Sequence, residues 1–321
     1  MESEFSAILG HDFQLSELSR DLASGNVAHA YLFSGPPHIG KFTVAKSFAK
    51  KLLLDGEDPA LVPAKTNQVD RLLHPDLFVL DRLWIEDTQE DFEVLGRFTN
   101  IPQQHRQKSG AKTDTISIDD VRVLQERLYE VSTARYRCCL IRSFERMREE
   151  ASNAFLKILE EPPKQVVFIL TAATIAALPP TIVSRVRVLQ FFPLSLPQLR
   201  PLVSSLEEGT AAFLLHVCQG APGIIRRLID DPEMLREQRS LHVAAGNFWH
   251  TTVPAQRLKV LRPLADDPQT LDRFVLHLCL TLREQLPESA PAHIEALQRL
   301  LRGLQTNVHK GLLLQQFALA V

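Results

Sequence analysis

The stretch from Ser34 to Thr43 constrains the fold more than any other, because S-G-P-P-H-I-G-K-F-T contains the spacing G-x-x-x-x-G-K. An apolar run, residues 30–33, precedes it, and an amphipathic segment, residues 44–54, follows it. A strand, a glycine loop and a helix form the context in which this spacing predicts a phosphate-binding loop. Its glycines let backbone N–H groups turn towards an anion, and the helix start adds partial positive charge. The predicted nucleotide-binding positions are Gly35, Gly40, Lys41 and Thr43.

One position departs from the loop pattern. Phe42 follows the lysine, where a Ser or Thr hydroxyl would hold Mg²⁺. A benzyl side chain cannot ligate a metal ion. The loop is therefore predicted to be a degenerate nucleotide site.

Apolar segments alternate with amphipathic segments in the first part of the chain, which predicts a parallel sheet covered on both faces. The predicted strands are residues 29–33, 77–80, 138–141, 166–170 and 188–191. Asp119 is predicted to cap a helix that opens at Ile116–Asp119. From Ser195 onward the Leu-rich periodicity predicts helices without strands, so the fold class is α/β plus all-α.

A chain of 321 residues exceeds the size at which single cores stop growing, about 250–300 residues. Residues 1–192 are predicted to form the α/β domain, residues 193–233 a small helical domain and residues 234–321 a larger helical domain. A long polar insert, residues 81–114, is acidic first and then basic. Loops of this length are uncommon unless functional or disordered, so it is either a hairpin without a site or a contact for a partner or DNA.

Charge and composition exclude several classes of protein. The chain has 36 basic and 38 acidic side chains, a net charge of −2, so any DNA contact must be local. Met1–Glu4 is acidic and begins no apolar core, which predicts no signal peptide and a cytoplasmic protein. The most apolar run, residues 166–183, contains Pro179 and Pro180 and is predicted to be a strand with a loop, not a membrane span. The cysteines have no zinc-ligand spacing and are predicted to be reduced core thiols: Cys138, Cys139, Cys218 and Cys279.

Further stretches follow the loop in a fixed order. They are H-A-Y-L-F-S-G-P at 29–36, H-P-D at 74–76, I-S-I-D at 116–119, E-E-A-S-N-A-F-L-K-I-L-E-E-P-P at 149–163, and L-P-P-T-I-V-S-R at 178–185. Together they resemble the delta-prime family of bacterial DNA polymerase III clamp-loader subunits, which are AAA+ proteins. The resemblance implies an AAA+ P-loop domain, a small helical lid and a C-terminal helical collar that assembles the oligomer.

The chain departs from the ATP-hydrolysing members of that group. By resemblance, the strand before residues 149–163 should end in two acids, one holding Mg²⁺ and one polarising water, but these positions hold Arg142 and Ser143. An arginine repels a metal ion, and serine is no general base at neutral pH. The threonine pair that senses the γ-phosphate falls on Ala172-Ala173, and the sensing arginine of the lid on Gly223. These losses predict that the chain has no catalytic residues for ATP hydrolysis in its own site.

No cofactor is expected, neither magnesium nor zinc. Relatives carry a four-cysteine zinc knot where this chain has residues 51–73, and that segment contains no cysteine. Weak nucleotide binding by Lys41 and the loop N–H groups stays open beside an empty, collapsed loop.

Ser184 and Arg185 match a Ser-Arg-Cys motif, with Val186 in place of the cysteine. In clamp loaders this arginine reaches the ATP of a neighbouring subunit, so the resemblance implies an arginine finger acting in trans. Without the resemblance, Arg185 would be read as a surface arginine paired with a carboxylate.

The resemblance thus implies a non-hydrolysing subunit that supports ATP-dependent loading of the sliding clamp on primed DNA during replication. Its expected partners are delta and gamma/tau subunits and, through them, the sliding clamp and primer–template DNA, with no membrane. Two alternatives stay open. One is a gamma/tau-type clamp-loader ATPase, and the other is an AAA+-derived scaffold outside the clamp loader.

Overall fold

A computed structural model describes residue 5 and residues 8–80, 115–130, 132–284, 291–306 and 308–321. The chain divides into two compact units, Met1–Ile225 and Arg226–Val321. The predicted insert at residues 81–114 lies outside the described residues. The three-part division at residues 192 and 233 stays a prediction.

A parallel sheet organises the first unit. Within the described residues its strands are β1 Ala30–Ser34, β2 Leu77–Leu80, β3 Arg137–Ile141, β4 Val166–Ala172 and β5 Arg187–Gln190. Their order is β2-β3-β4-β1-β5, and every neighbouring pair is parallel. The predicted strands and the α/β class are confirmed, since helices cover both faces and strands β1 to β4 are buried throughout.

Helices connect the strands and continue to the end of the chain. Those of the first unit are α1 Asp12–Ser24, α2 Lys41–Leu53, α3 Val62–Asp70, α4 Ile118–Leu128, α5 Glu149–Glu160, α6 Pro180–Val183, α7 Leu196–Leu199 and α8 Glu208–Val217. Helix α9, Pro222–Asp230, spans the division between the units. The second unit contains α10 Pro232–His250, α11 Pro254–Leu261, α12 Pro268–Glu284, α13 Pro291–Leu304 and α14 Lys310–Ala320. The described residues of this unit contain no strand, as predicted.

Alternation along the strands builds two cores in the first unit. Tyr31 and Phe33 of β1 face one core, which α1 and α2 cover, and Leu32 faces the other, which α4 and α5 cover. Cys138 and Cys139 divide between the same two cores. Burial raises the pKa of both thiols, so they stay protonated.

The N-terminus of α4 corrects one prediction. Ser117, not Asp119, caps this helix, because the backbone N–H of Asp120 donates to Ser117 Oγ at 3.4 Å and Ser117 N donates to Asp120 Oδ2 at 2.7 Å. This reciprocal pairing is a capping box, which satisfies two backbone donors at once. Asp119 lies in the first turn, where its carboxylate pairs with Arg122.

The second unit buries its own apolar core, with Phe248 stacked on Phe317 at 5.5 Å between ring centroids. Across the described parts of both units, no helix combines the length and the apolar character needed to cross a bilayer.

Candidate functional site

The glycine loop connects β1 to α2 as the sequence predicts. Gly35 has a φ of 153°, and a Cβ atom there would lie 2.3 Å from the carbonyl oxygen of Phe191, so only glycine fits. Its N–H donates to Ala172 O at 3.1 Å. Gly40, with a φ of 102°, is the N-cap of α2. The loop is therefore a tight turn from β1 to α2 in which both glycines have positive φ values that other residues rarely adopt.

The lysine of the motif is turned back onto its own loop. Lys41 Nζ donates to Gly35 O and, at 2.6 Å, to Pro36 O. Burial lowers the pKa of Lys41 to about 8; Glu145 opposes this shift and Arg142 adds to it. Two of the ammonium N–H donors of Lys41, which a bound phosphate would need, are therefore engaged by carbonyl groups of the loop.

The positions that would hold a metal ion contact each other. The guanidinium of Arg142 lies 4.3 Å from the ring centroid of Phe42, which is a cation–π contact. Thr43 is exposed. An incoming Mg²⁺ would therefore meet an aromatic ring and a positive charge where a hydroxyl and a carboxylate are needed.

Beside this pair, the ends of β3 and β4 are tied together by hydrogen bonds. Ser143 has a φ of 52°, and its N–H donates to Thr171 Oγ1 at 3.1 Å. Glu145 Oε1 accepts from Ala173 N at 3.3 Å. The sequence analysis did not identify Glu145 as a site residue. The feature that could have indicated it is that it is an acid two residues after Ser143, the second of the two expected acid positions. The negative charge of Glu145 acts to raise the pKa of Lys41, but the effect of burial is larger.

Two further elements hold the loop. The N–H of Gly223 donates to His38 O at 2.9 Å, and a Cβ atom at Gly223 would lie 2.8 Å from that oxygen. On another side, His11 Nε2 lies 2.7 Å from Ile39 O. The position where related motors are expected to carry a sensing arginine is thus packed against the loop backbone.

Arg185 and the loop lie at opposite ends of the neighbouring parallel strands β5 and β1. Arg187 of β5 pairs with Tyr31 of β1, so Arg185 precedes the first paired residues, whereas Gly35 follows the last one. Gly35 is four residue steps beyond Tyr31, which is about 13 Å along the strand. Arg185 is therefore separated from the loop of its own chain by the length of the paired strands.

The Arg185 side chain is 36% exposed and makes three hydrogen bonds among the described residues. Its Nη2 donates to Glu160 Oε1 at 2.8 Å, and its Nη1 donates to Thr181 O at 3.0 Å and to Ser184 Oγ at 3.2 Å. The carboxylate pairing that is ordinary for a surface arginine is thus present, and Ser184 helps to orient the guanidinium.

The H-P-D stretch forms a buried ion pair and not a chemical site. Asp76 Oδ1 accepts from Nε and Nη2 of Arg137, each at 3.2 Å. Asp76 Oδ2 accepts from Thr133 N at 2.9 Å, from Thr133 Oγ1 at 2.6 Å and from Ala134 N at 3.0 Å. This network joins the start of β2 to the start of β3.

Ion pairs stabilise the cysteine-free segment at residues 51–73. Asp70 at the end of α3 pairs with Lys50 of α2 at 2.8 Å. Lys65 of α3 pairs with Glu57 at 2.5 Å.

A five-stranded parallel sheet with β1 between β4 and β5, a glycine loop after β1 and helices beyond β5 define an AAA+-type fold. The sequence profile described as "DNA polymerase III, delta subunit" matches residues 10–195, more than half of the chain. The chain belongs to this family.

Curated relatives and a solved structure agree with that assignment. DNA polymerase III subunit tau of Escherichia coli (strain K12) is 27% identical over 278 residues, which are 83% of this chain and 37% of that protein. DNA polymerase III subunit gamma of Buchnera aphidicola subsp. Baizongia pistaciae is 27% identical over 63% of this chain and 48% of its own length. The chain therefore spans less than half of these relatives.

A gamma subunit-related protein of DNA polymerase III from Thermotoga maritima has a similar fold, with a TM-score of 0.51 and 17% identity. The alignment covers 95% of this chain and 97% of that protein. At this identity the likeness concerns the fold alone.

Proposed function

We propose that this chain is a non-hydrolysing, delta-prime-like subunit of the DNA polymerase III clamp loader. It supports ATP-dependent loading of the sliding clamp on primed DNA during replication. It supplies Arg185, oriented by Ser184, to the ATP site of a neighbouring subunit. Its partners are delta and gamma/tau subunits and, through them, the clamp and primer–template DNA. It acts in the cytoplasm.

The state of the chain's own loop is the observation that carries this proposal. Lys41 is bound to loop carbonyl groups, and Phe42 is covered by Arg142. A nucleotide would have to break the Lys41 hydrogen bonds, and a metal ion would have to displace or face the Arg142 guanidinium.

The chemical requirements of phosphoryl transfer also support the proposal that the chain does not hydrolyse ATP. The reaction depends on positioning and on metal charge at the β- and γ-oxygens. The chain lacks the hydroxyl ligand at Phe42, the metal-holding acid at Arg142 and the water-polarising acid at Ser143. Glu145 does not replace them, since it lies two residues beyond Ser143 and its Oε1 accepts from the N–H of Ala173. No cofactor is therefore proposed for this site.

The position of Arg185 supports a role in trans. Arg185 lies at the end of the strands opposite to the loop of its own chain, so a phosphate that it contacts would belong to another chain, and its side chain is partly exposed. A guanidinium at the γ-phosphate neutralises charge that develops in the transition state.

A gamma/tau-type ATPase is the second candidate, because the named relatives at 27% identity are tau and gamma subunits. Residues at the loop and after β3 distinguish this candidate from the proposed function: a motor subunit needs a hydroxyl and two acids where this chain has Phe42, Arg142 and Ser143.

An AAA+-derived scaffold outside the clamp loader can be distinguished from the proposed function by the proteins with which the chain associates. We expect the chain to co-purify with the delta or gamma subunit of its own source, and absence of both from a purified complex would favour the scaffold.

Titration of the isolated chain with Mg-ATP tests the proposal that its own loop does not hydrolyse ATP. We expect no turnover and a dissociation constant above about 1 mM, equivalent to a binding free energy weaker than about −4 kcal/mol. Lys41→Ala should behave like the unaltered chain, because Lys41 has no phosphate to hold. Calorimetry measures the binding and phosphate release measures the turnover. Hydrolysis by the isolated chain that disappears in Lys41→Ala would establish an ATPase instead.

A further inference from the structure

Glu160 is the residue that meets Arg185 in the structure. It is the last residue of α5, and its Oε1 accepts from Arg185 Nη2 at 2.8 Å. The pair joins two of the motif stretches, residues 149–163 and residues 178–185. In the sequence, Glu160 looks like an ordinary member of a solvated helix face.

We infer that Glu160 is a positioning residue for Arg185, holding the guanidinium in the orientation in which it meets the phosphates of a neighbouring subunit. This inference rests on the proposed trans role of Arg185. Glu160 touches no nucleotide itself and acts through the arginine.

Electrostatics at the end of α5 favours this arrangement. The C-terminus of a helix carries partial negative charge, so a carboxylate there is unfavourable by itself and a cation is favourable. Glu160 and Glu161 both lie at this end, and the Arg185 guanidinium is drawn to it. The pair is half-exposed, with side-chain exposures of 36% for Arg185 and 50% for Glu160. Pairs this exposed contribute little to folding, so the pair can be removed without unfolding the chain.

The hydrogen bonds orient the guanidinium and still leave donors for a phosphate. An arginine has five N–H groups. The contacts to Glu160, Thr181 and Ser184 engage Nη1 and Nη2, and no hydrogen bond within the described residues engages Nε. A side chain that is already ordered loses less conformational freedom when it binds, and its geometry is set before the reaction.

The first test uses a complex reconstituted with the neighbouring ATPase subunit. Glu160→Ala is expected to slow ATP hydrolysis by about tenfold, because a misplaced catalytic group loses rate while remaining present. Glu161→Ala is the matched control, since Glu161 is the adjacent exposed acid and takes part in no ion pair among the described residues. It should hydrolyse ATP at the unaltered rate. A Glu160→Ala complex as fast as the unaltered one, or faster, would overturn the inference.

A double variant separates positioning from a structural role. If Glu160 acts only through the arginine, Glu160→Ala combined with Arg185→Ala should be no slower than Arg185→Ala alone. If the fold-decreases in hydrolysis rate of the two single variants multiply in the double variant, the inference is wrong. If Arg185→Ala alone leaves hydrolysis unchanged, the proposed function itself has failed, so the two failures are distinct.

A measurement on the isolated full chain needs no activity. Nitrogen-15 relaxation of the Arg185 side chain reports how tightly the guanidinium is held on the picosecond to nanosecond timescale. Its mobility should rise in Glu160→Ala and stay unchanged in Glu161→Ala. Equal mobility in all three proteins would show that Glu160 does not position the arginine.

Discussion

Arg185→Ala is expected to slow ATP hydrolysis at the adjoining subunit by about 10³-fold while leaving the complex assembled. An arginine finger contributes roughly 10³ to 10⁵ to the turnover number in the phosphoryl-transfer enzymes that use one. The loss arises because no other cation replaces the guanidinium as charge develops on the γ-phosphate. Phosphate release by the reconstituted complex measures the rate, and gel filtration measures assembly.

Two variants control this experiment. Arg185→Lys keeps the positive charge but loses the planar fork, so only part of the rate should return. Arg122→Ala removes a different exposed arginine, which is paired with Asp119 on α4, and should leave the rate unchanged. Hydrolysis at the normal rate by an assembled Arg185→Ala complex would refute the trans role. Loss of assembly would mean that the arginine is structural.

The sheet could be predicted from the sequence because its signals are local. Each strand is a short apolar run, and the glycine loop fixes where one of them ends and a helix begins. The alternation of these runs with amphipathic segments already implies parallel pairing. Parallel pairing also places Gly35 and Arg185 at opposite ends of the strands, because Gly35 follows β1 and Arg185 precedes β5.

The contacts that decide the chemistry could not be predicted, because they join distant parts of the chain. Nothing in the spacing of the loop shows that Lys41 turns back onto Pro36 O, or that Arg142 covers Phe42. The Glu160–Arg185 pair joins residues 25 positions apart. Such contacts depend on how β3, β4 and the helices pack, and local pattern does not carry that information.

Two glycines at the loop are needed for the packing of the fold. Gly35 lets the chain pass close to Phe191 O, and Gly223 packs against His38 O. Both contacts need a glycine whether or not a nucleotide binds. Gly35 is therefore required by the packing of the fold itself, independently of nucleotide binding.

Asp76→Asn is expected to reduce the free energy of unfolding of the first unit by about 3–5 kcal/mol, the usual cost of stranding one member of a buried ion pair. The side chains of Asp76 and Arg137 are only 1% and 5% exposed. An asparagine oxygen can still accept from Thr133 and Ala134, so the loss comes mainly from the unpaired Arg137. By calorimetry the melting temperature should fall by roughly 10 °C.

Two comparisons make that result specific to the buried pair. Asp70→Asn removes a half-exposed carboxylate that pairs with Lys50, and it should cost less than about 1 kcal/mol. Adding Arg137→Met to Asp76→Asn removes the stranded charge and should recover part of the lost stability. Equal losses for Asp76→Asn and Asp70→Asn would contradict a special role for the H-P-D stretch.

The pH dependence of the same variant follows from the environment of the carboxyl group. Burial by itself raises the pKa of Asp76, but hydrogen bonds from Thr133 and Arg137 outweigh it and hold the pKa below its ordinary value. The folded pKa is therefore lower than the unfolded one, about 3.9 for aspartate. The stabilisation is complete well above that value and is lost as the pH falls through the folded pKa. The stability difference between the unaltered chain and Asp76→Asn should stay constant from pH 7 to about pH 5 and shrink below about pH 4. A difference that persists unchanged at pH 3 would show that the Asp76 charge does not stabilise the fold.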